Sequence, residues 1–142
     1  MGFLAWFKNN PEEALESQLE LFGSSQALTK HERVDGATIR KDFNQAIKDS
    51  GGDREAQAKS TVAMTEELFG CKPKTLYEQT GGKEGDRSTL PKEAQKAYIV
   101  GETVATHDLK AKEMAGNQQQ KNQQIVETVR DSGKKARRLF PW

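Results

Sequence analysis

Five bases, Arg130, Lys134, Lys135, Arg137 and Arg138, crowd the carboxyl-terminal end with only Asp131 among them, and Leu139-Phe140-Pro141-Trp142 follows at once. Cations at this density can neutralise several phosphates, and Phe140 or Trp142 can stack on an unpaired base or wedge into a groove. The same cations also suit the negative end of a helix dipole, with the aromatics folding back on a core. The sequence leaves both open. The chain holds 22 Lys and Arg against 21 Asp and Glu, a net +1; removing the five bases and Asp131 leaves 17 against 20, so a +4 end sits on a body of −3. No global field draws the molecule to nucleic acid or membrane, and any electrostatic partner must meet this local patch.

Other chemistry finds few residues. One cysteine, Cys71, excludes an internal disulfide framework and a Cys-rich zinc site, and points to a reducing, cytoplasmic compartment. His31 and His107 stand alone, without a second ligand at helical spacing, so no metal site is expected. Gly81-Gly82-Lys83 and Gly85 lack the spacing of a phosphate loop, and Asp49, Gly51 and Asp53 lack the order of a calcium loop. Glu102, His107 and Asp108 share a helix but bring no pocket with them, and read as a surface histidine beside acids. No nucleophile elbow or zinc-protease pair occurs. The expectation is a protein that binds rather than catalyses, with no catalytic residue, cofactor or metal.

The elements that must carry these residues are helical. Asn10-Pro11-Glu12-Glu13 caps and starts a helix carrying Leu15, Leu19 and Phe22 up to Gly23. Residues 23 to 36 lack periodicity and read as a linker burying Leu28 and Val34. From Thr38, Ile39, Phe43, Ala46 and Ile47 fall on one face until Ser50-Gly51-Gly52. Asp53 caps the next run, with Ala58, Val62, Thr65, Leu68 and Phe69 ended by Gly70, and Pro73 restarts the chain for Leu76 and Tyr77. Gly81 to Thr89 is a polar, exposed loop.

Pro91 begins the longest run, through Ala94, Ala97, Tyr98, Gly101, Val104, Ala105, Leu109 and Met114 to Gly116, whose small residues admit a closely packed neighbour. Asn117 opens a glutamine-rich helix with a solvated Gln face, carrying Ile125, Val126 and Val129 and closing before Ser132-Gly133. No strand alternation or internal repeat occurs. The expected architecture is an all-α, compact bundle of about five helices with short polar connections, one domain over residues 1–142. Its core is Leu15, Leu19, Phe22, Ile39, Phe43, Ile47, Val62, Leu68, Phe69, Tyr98, Val104, Ile125 and Val129.

Both ends are special. The segment 1–9 carries Phe3, Leu4, Trp6 and Phe7 in a run too short to span a bilayer or form a signal-peptide core, so secretion and membrane insertion are not expected. Gly2 lacks the Ser or Thr that myristoylation wants, since Trp6 stands there. The aromatics can tuck against the core or against a partner chain. The segment 134–142 is a basic and aromatic tail.

Residues 60 to 142 resemble a family. Thr65-Glu66-Glu67-Leu68-Phe69-Gly70, Leu90-Pro91-Lys92-Glu93, Glu102, and Asn117 to Arg130 followed by Gly133 and Leu139-Phe140-Pro141 are similar to the C-terminal region of the DNA-damage-inducible protein D family. Related helical tails occur in phage antirepressor proteins of the BRO and KilA type. The resemblance implies an accessory role in DNA metabolism or in phage and plasmid regulation, acting by binding. Those relatives carry a larger N-terminal DNA-binding domain where about sixty residues stand here, so sequence-specific reading of DNA is not what it implies for this chain.

Two functional expectations follow. In the first, Arg130, Lys134, Lys135, Arg137 and Arg138 engage DNA phosphate or an acidic face of a DNA-processing protein. In the second, Phe3, Leu4, Trp6, Phe7, Phe140 and Trp142, with Leu139, dock into a partner protein or a second copy of the chain, making a homo-oligomer.

Overall fold

The computed structural model describes residues 2–9 and 30–142, the side chains of 30–35 excepted. The predicted helix of Leu15, Leu19 and Phe22 and the predicted burial of Leu28 and Val34 lie outside what is described. Among the described residues there are six α-helices and no strand: α1 Phe3–Asn9, α2 Lys30–Asp49, α3 Arg54–Phe69, α4 Pro73–Thr80, α5 Lys92–Lys110 and α6 Gln118–Arg137, with a 3₁₀ turn at Arg87–Thr89. The all-α bundle read from the periodicity is the observed fold.

Local chemistry sets most boundaries. The Asp53 carboxylate accepts from the Ala56 amide at 3.1 Å to start α3, and Gly70, at φ +73°, closes it in the left-handed region that glycine enters without penalty. Asn117 and Gln120 form a reciprocal capping box at the start of α6. Three boundaries depart from expectation. Helix α2 begins at Lys30, so the second half of the predicted linker is helical. Gly36 sits inside it, where a Cβ would lie 3.5 Å from Ile99 Cδ1; a helical glycine costs only about 1 kcal/mol and does not stop a helix that packs. Helix α5 ends at Lys110, short of Gly116. Helix α6 runs through Ser132 and Gly133, both buried, to Arg137.

Helix α3 is central, touching α1, α4, α5 and α6, and α2 lies along α5. Phe43, Ala46 and Ile47 of α2, Ala56, Ala63, Met64, Leu68 and Phe69 of α3, Ala94, Ala97, Tyr98, Ala105 and Leu109 of α5, and Ile125, Val129 and Ala136 of α6 are buried in it. Ile39, Val62 and Val104, expected in the core, are only half-buried, and Ala58 is exposed. The stripe of α3 is broader than one face because neighbours surround it.

The glutamines of α6 are not simply a solvated face. Gln118 donates to the Gly51 carbonyl at 2.7 Å, and Gln124 donates to the Ala115 carbonyl at 2.7 Å and accepts from the Ala115 amide. These side chains tie the α2–α3 turn and the α5–α6 connection to the start of α6. Asn122 adds a 2.8 Å bond to Asp53.

Two glycines set how closely the helices approach. A Cβ on Gly101 would stand 2.6 Å from Met64 Sδ, and one on Gly133 would stand 2.8 Å from Glu67 Cβ. The thioether can swing aside; a Cβ anchored to the α3 backbone cannot. In an open helix Gly→Ala gains about 1 kcal/mol, whereas overpacking costs about 1–3 kcal/mol. Gly133→Ala is therefore expected to destabilise by about 1–2 kcal/mol in urea denaturation, and Gly101→Ala by less. A Gly133→Ala variant as stable as the parent would mean that α3 and α6 do not meet at this distance.

Candidate functional site

The five C-terminal bases divide. At 3.6 residues per turn, Arg130, Lys134, Arg137 and Arg138 (i, i+4, i+7 and i+8) fall within one sector of about 100° on α6 and its end. Lys135 lies outside that sector, toward α5, where Nζ meets Asp108 Oδ2 at 3.1 Å. Burial opposes the Asp108 charge, but hydrogen bonds from the Ser132 hydroxyl and Lys135 outweigh it and hold the carboxyl below its ordinary value. Arg130 bonds Glu67 at 2.9 Å and approaches Glu66 at 3.8 Å. Lys134 and Arg138 are exposed and Arg137 half-buried. Two exposed acids share this side: Glu127 lies inside the sector one turn before Arg130, and Asp131 lies at its edge. The five bases expected to act together are thus a strip of four on one side, with Arg130 clamped by acids of α3, and Lys135 on another.

The aromatic ends pack on each other rather than standing free. Phe3, Trp6 and Trp142 are buried. The Phe3 ring meets Trp142 at 4.8 Å and Phe69 at 5.1 Å, both edge to face, and Trp6 lies 5.2 Å from Trp142. Trp142 Nε1 donates to the Leu68 carbonyl at 2.7 Å, satisfying its one polar atom. Phe7 lies 5.8 Å from Phe3 and Phe140 stacks on Trp142 at 4.9 Å, both half-buried, while Leu4 and Cys71 are half-buried against the core. Of the residues expected to anchor a partner, only Leu139, 72% exposed, projects into solvent.

A second constellation was not anticipated. Glu102 sits on the buried stripe of α5, between Tyr98 and Ala105, with its side chain 2% exposed. Arg87 donates Nη1 to Oε1 at 2.6 Å and Nη2 to Oε2 at 3.0 Å, a fork-to-fork pair. Arg40 of α2 adds Nη1 to Oε2 at 3.2 Å. The Arg87 guanidinium also stacks 3.8 Å above the Tyr98 ring. Tyr98 in turn shares a 2.7 Å hydrogen bond with Thr65 of α3. Burial, and then Arg87, lower the Arg40 pKa, while Glu102 opposes them.

Arg87 reaches this place from the loop expected to be an exposed, mobile connection. Asp86 caps the 3₁₀ turn by accepting from the Ser88 amide and hydroxyl, which orients Arg87 inward. Above the cluster opens a cavity of about 520 Å³, bordered by Arg40, Tyr77, Arg87, Gln95, Tyr98, Ile99 and Glu102 and, at its mouth, by Glu84 and Asp86. Glu102 does not join His107, which is exposed. One signal was present in the sequence: Glu102 shares the helical stripe of Tyr98, Ala105 and Leu109, and an acid at an apolar position demands a cation.

Among the described residues no helix is long and apolar enough to cross a membrane, and no group of three or more His, Cys, Asp or Glu is placed to hold a metal. No family model matches the chain, and no curated protein or solved structure matches it.

Burial raises the Tyr98 pKa from 10.0 to about 12, against the Thr65 hydrogen bond and the Arg87 charge. A phenol with a raised folded value contributes its full stability below about pH 10 and loses it as pH climbs toward about 12. Urea denaturation across that window should show the parent protein losing about 2–3 kcal/mol more than Tyr98→Phe. Parallel curves would show that Tyr98 is not sealed beneath Arg87.

Proposed function

We propose that the protein is a non-enzymatic accessory factor of DNA transactions that holds DNA phosphate through Lys134, Arg137 and Arg138, with Arg130 at the inner end of the strip. The observation that supports this reading is the helical register of α6, which puts four bases on one side of its end. Compensation of the helix dipole asks for cations in the last turn but not for a common face. The resemblance of residues 60–142 to the DNA-damage-inducible protein D family points the same way. Contacts of this kind go to the backbone, so they position DNA without reading its sequence. Arg130 is braced by Glu67 and Glu66, which fixes its guanidinium before any partner arrives.

Phosphate binding releases counterions, so each neutralised phosphate contributes about 0.9 to the slope of log affinity against log salt. Titrating the intact chain with a 20-base-pair duplex at two or more salt concentrations should give a steep slope. Lys134→Ala with Arg138→Ala should reduce it by about two. A double variant with unchanged affinity and slope at low ionic strength would remove the phosphate model.

A further inference from the structure

The cavity over Glu102 is unused by the C-terminal strip and has the composition of a binding site. Its volume, about 520 Å³, falls within the range of about 300–1,000 Å³ typical of small-molecule pockets. Its floor holds two guanidinium groups against one carboxylate. Arg87 spends both terminal nitrogens on Glu102. Arg40 spends only Nη1, no described residue accepts from its Nη2 or Nε, and its side chain is 38% exposed. A guanidinium with unspent donors at a half-open cavity is suited to a planar two-oxygen acceptor.

We propose that this cavity binds a small organic monocarboxylate, with the ligand carboxylate on Arg40 and its apolar body against the Tyr77 and Ile99 wall. Arg40, Arg87 and Glu102 on the floor carry one net positive charge, which one added carboxylate neutralises; with Glu84 and Asp86 the whole lining carries −1, so the attraction is local to the floor. The exposed carboxylates of Glu84 and Asp86 repel a dianion about twice as strongly as a monoanion, so a phosphate monoester is disfavoured relative to a carboxylate. Tyr77 is buried on the wall, near enough to Arg40 and Arg87 for both charges to act on its phenol, and its hydroxyl makes no hydrogen bond to any described residue. That hydroxyl is a second donor for the ligand. The apolar wall supplies the area and the arginine supplies orientation, the usual division of labour in such pockets.

The test titrates the intact protein with benzoate, with benzamide as its uncharged isostere and phenyl phosphate as a dianion, following amide shifts in the Tyr98 to Glu102 stretch by NMR. Benzoate is expected to saturate there, with benzamide weaker by about tenfold or more, as loss of a charge-assisted pair predicts, and phenyl phosphate weaker than benzoate through repulsion by Glu84 and Asp86. Arg40→Met, checked by its thermal melt, should weaken benzoate by a similar factor, and Lys134→Ala with Arg138→Ala should leave it unchanged. The probe series decides the matter even if Arg40→Met fails to fold. Absence of saturable benzoate binding, benzamide binding as tightly, or phenyl phosphate binding more tightly would each overturn the proposal.

Discussion

A carboxylate on the buried stripe of a helix is tolerated only when cations come to it, and Glu102 organises one side of this molecule on that condition. Removing a charge from water costs several kcal/mol, and a partner must return it through close, well-directed hydrogen bonds. Arg87 does so with a two-point fork and Arg40 with a third bond. One residue on α5 thereby fixes the connection between α4 and α5 and the mid-section of α2, two elements with little else in common. A hydrophobic residue at this position would fill the space, but it would not dictate where Arg87 and Arg40 must go.

The other side of the bundle uses the opposite means. Glycine at 133 lets α3 approach α6 at a distance that a side chain would forbid, and glycine at 101 lets it approach α5 at one that a side chain would reach only by moving Met64. Phe3, Trp6, Phe69 and Trp142 then close the two described ends of the chain over α3, each ring pair contributing about 0.5–1.5 kcal/mol beyond its buried area. Anchoring Trp142 through Leu68 fixes the chain just beyond α6, so the strip of Arg130, Lys134, Arg137 and Arg138 is mounted on a braced helix end. The polar cluster and the aromatic clasp thus serve different tasks: one frames a cavity, the other presents a charged edge.

Much of the helical framework was legible because it rests on local chemistry. Asp53, Gly70, Pro73 and Asn117 announce boundaries through caps and left-handed turns that need no knowledge of tertiary contacts. Gly133 resembles a stop, and only the neighbour facing it, Glu67, shows that it is a close approach, whereas Gly36 sits within α2 in ordinary contact with Ile99. The basic strip was visible as composition, but its division into four bases on one face and Lys135 on another required α6 to continue past Gly133. Glu102 was read as a surface acid because charge pattern was weighed before position on the stripe. Its partners Arg40 and Arg87 lie 62 and 15 residues away, and spacing alone does not join them.

The central claim is that Glu102 and Arg87 act as one unit, and a double-mutant cycle measures that directly. With Arg87→Met, Glu102→Gln and the double variant compared by urea denaturation, Arg87→Met should cost about 3 kcal/mol, because buried Glu102 is left with Arg40 alone, and Glu102→Gln somewhat less, because Arg87 is partly exposed. The double change should cost less than the sum by about 2–3 kcal/mol. Costs that add to within about 0.5 kcal/mol would contradict the account, since they would mean that Glu102 and Arg87 do not act on one another.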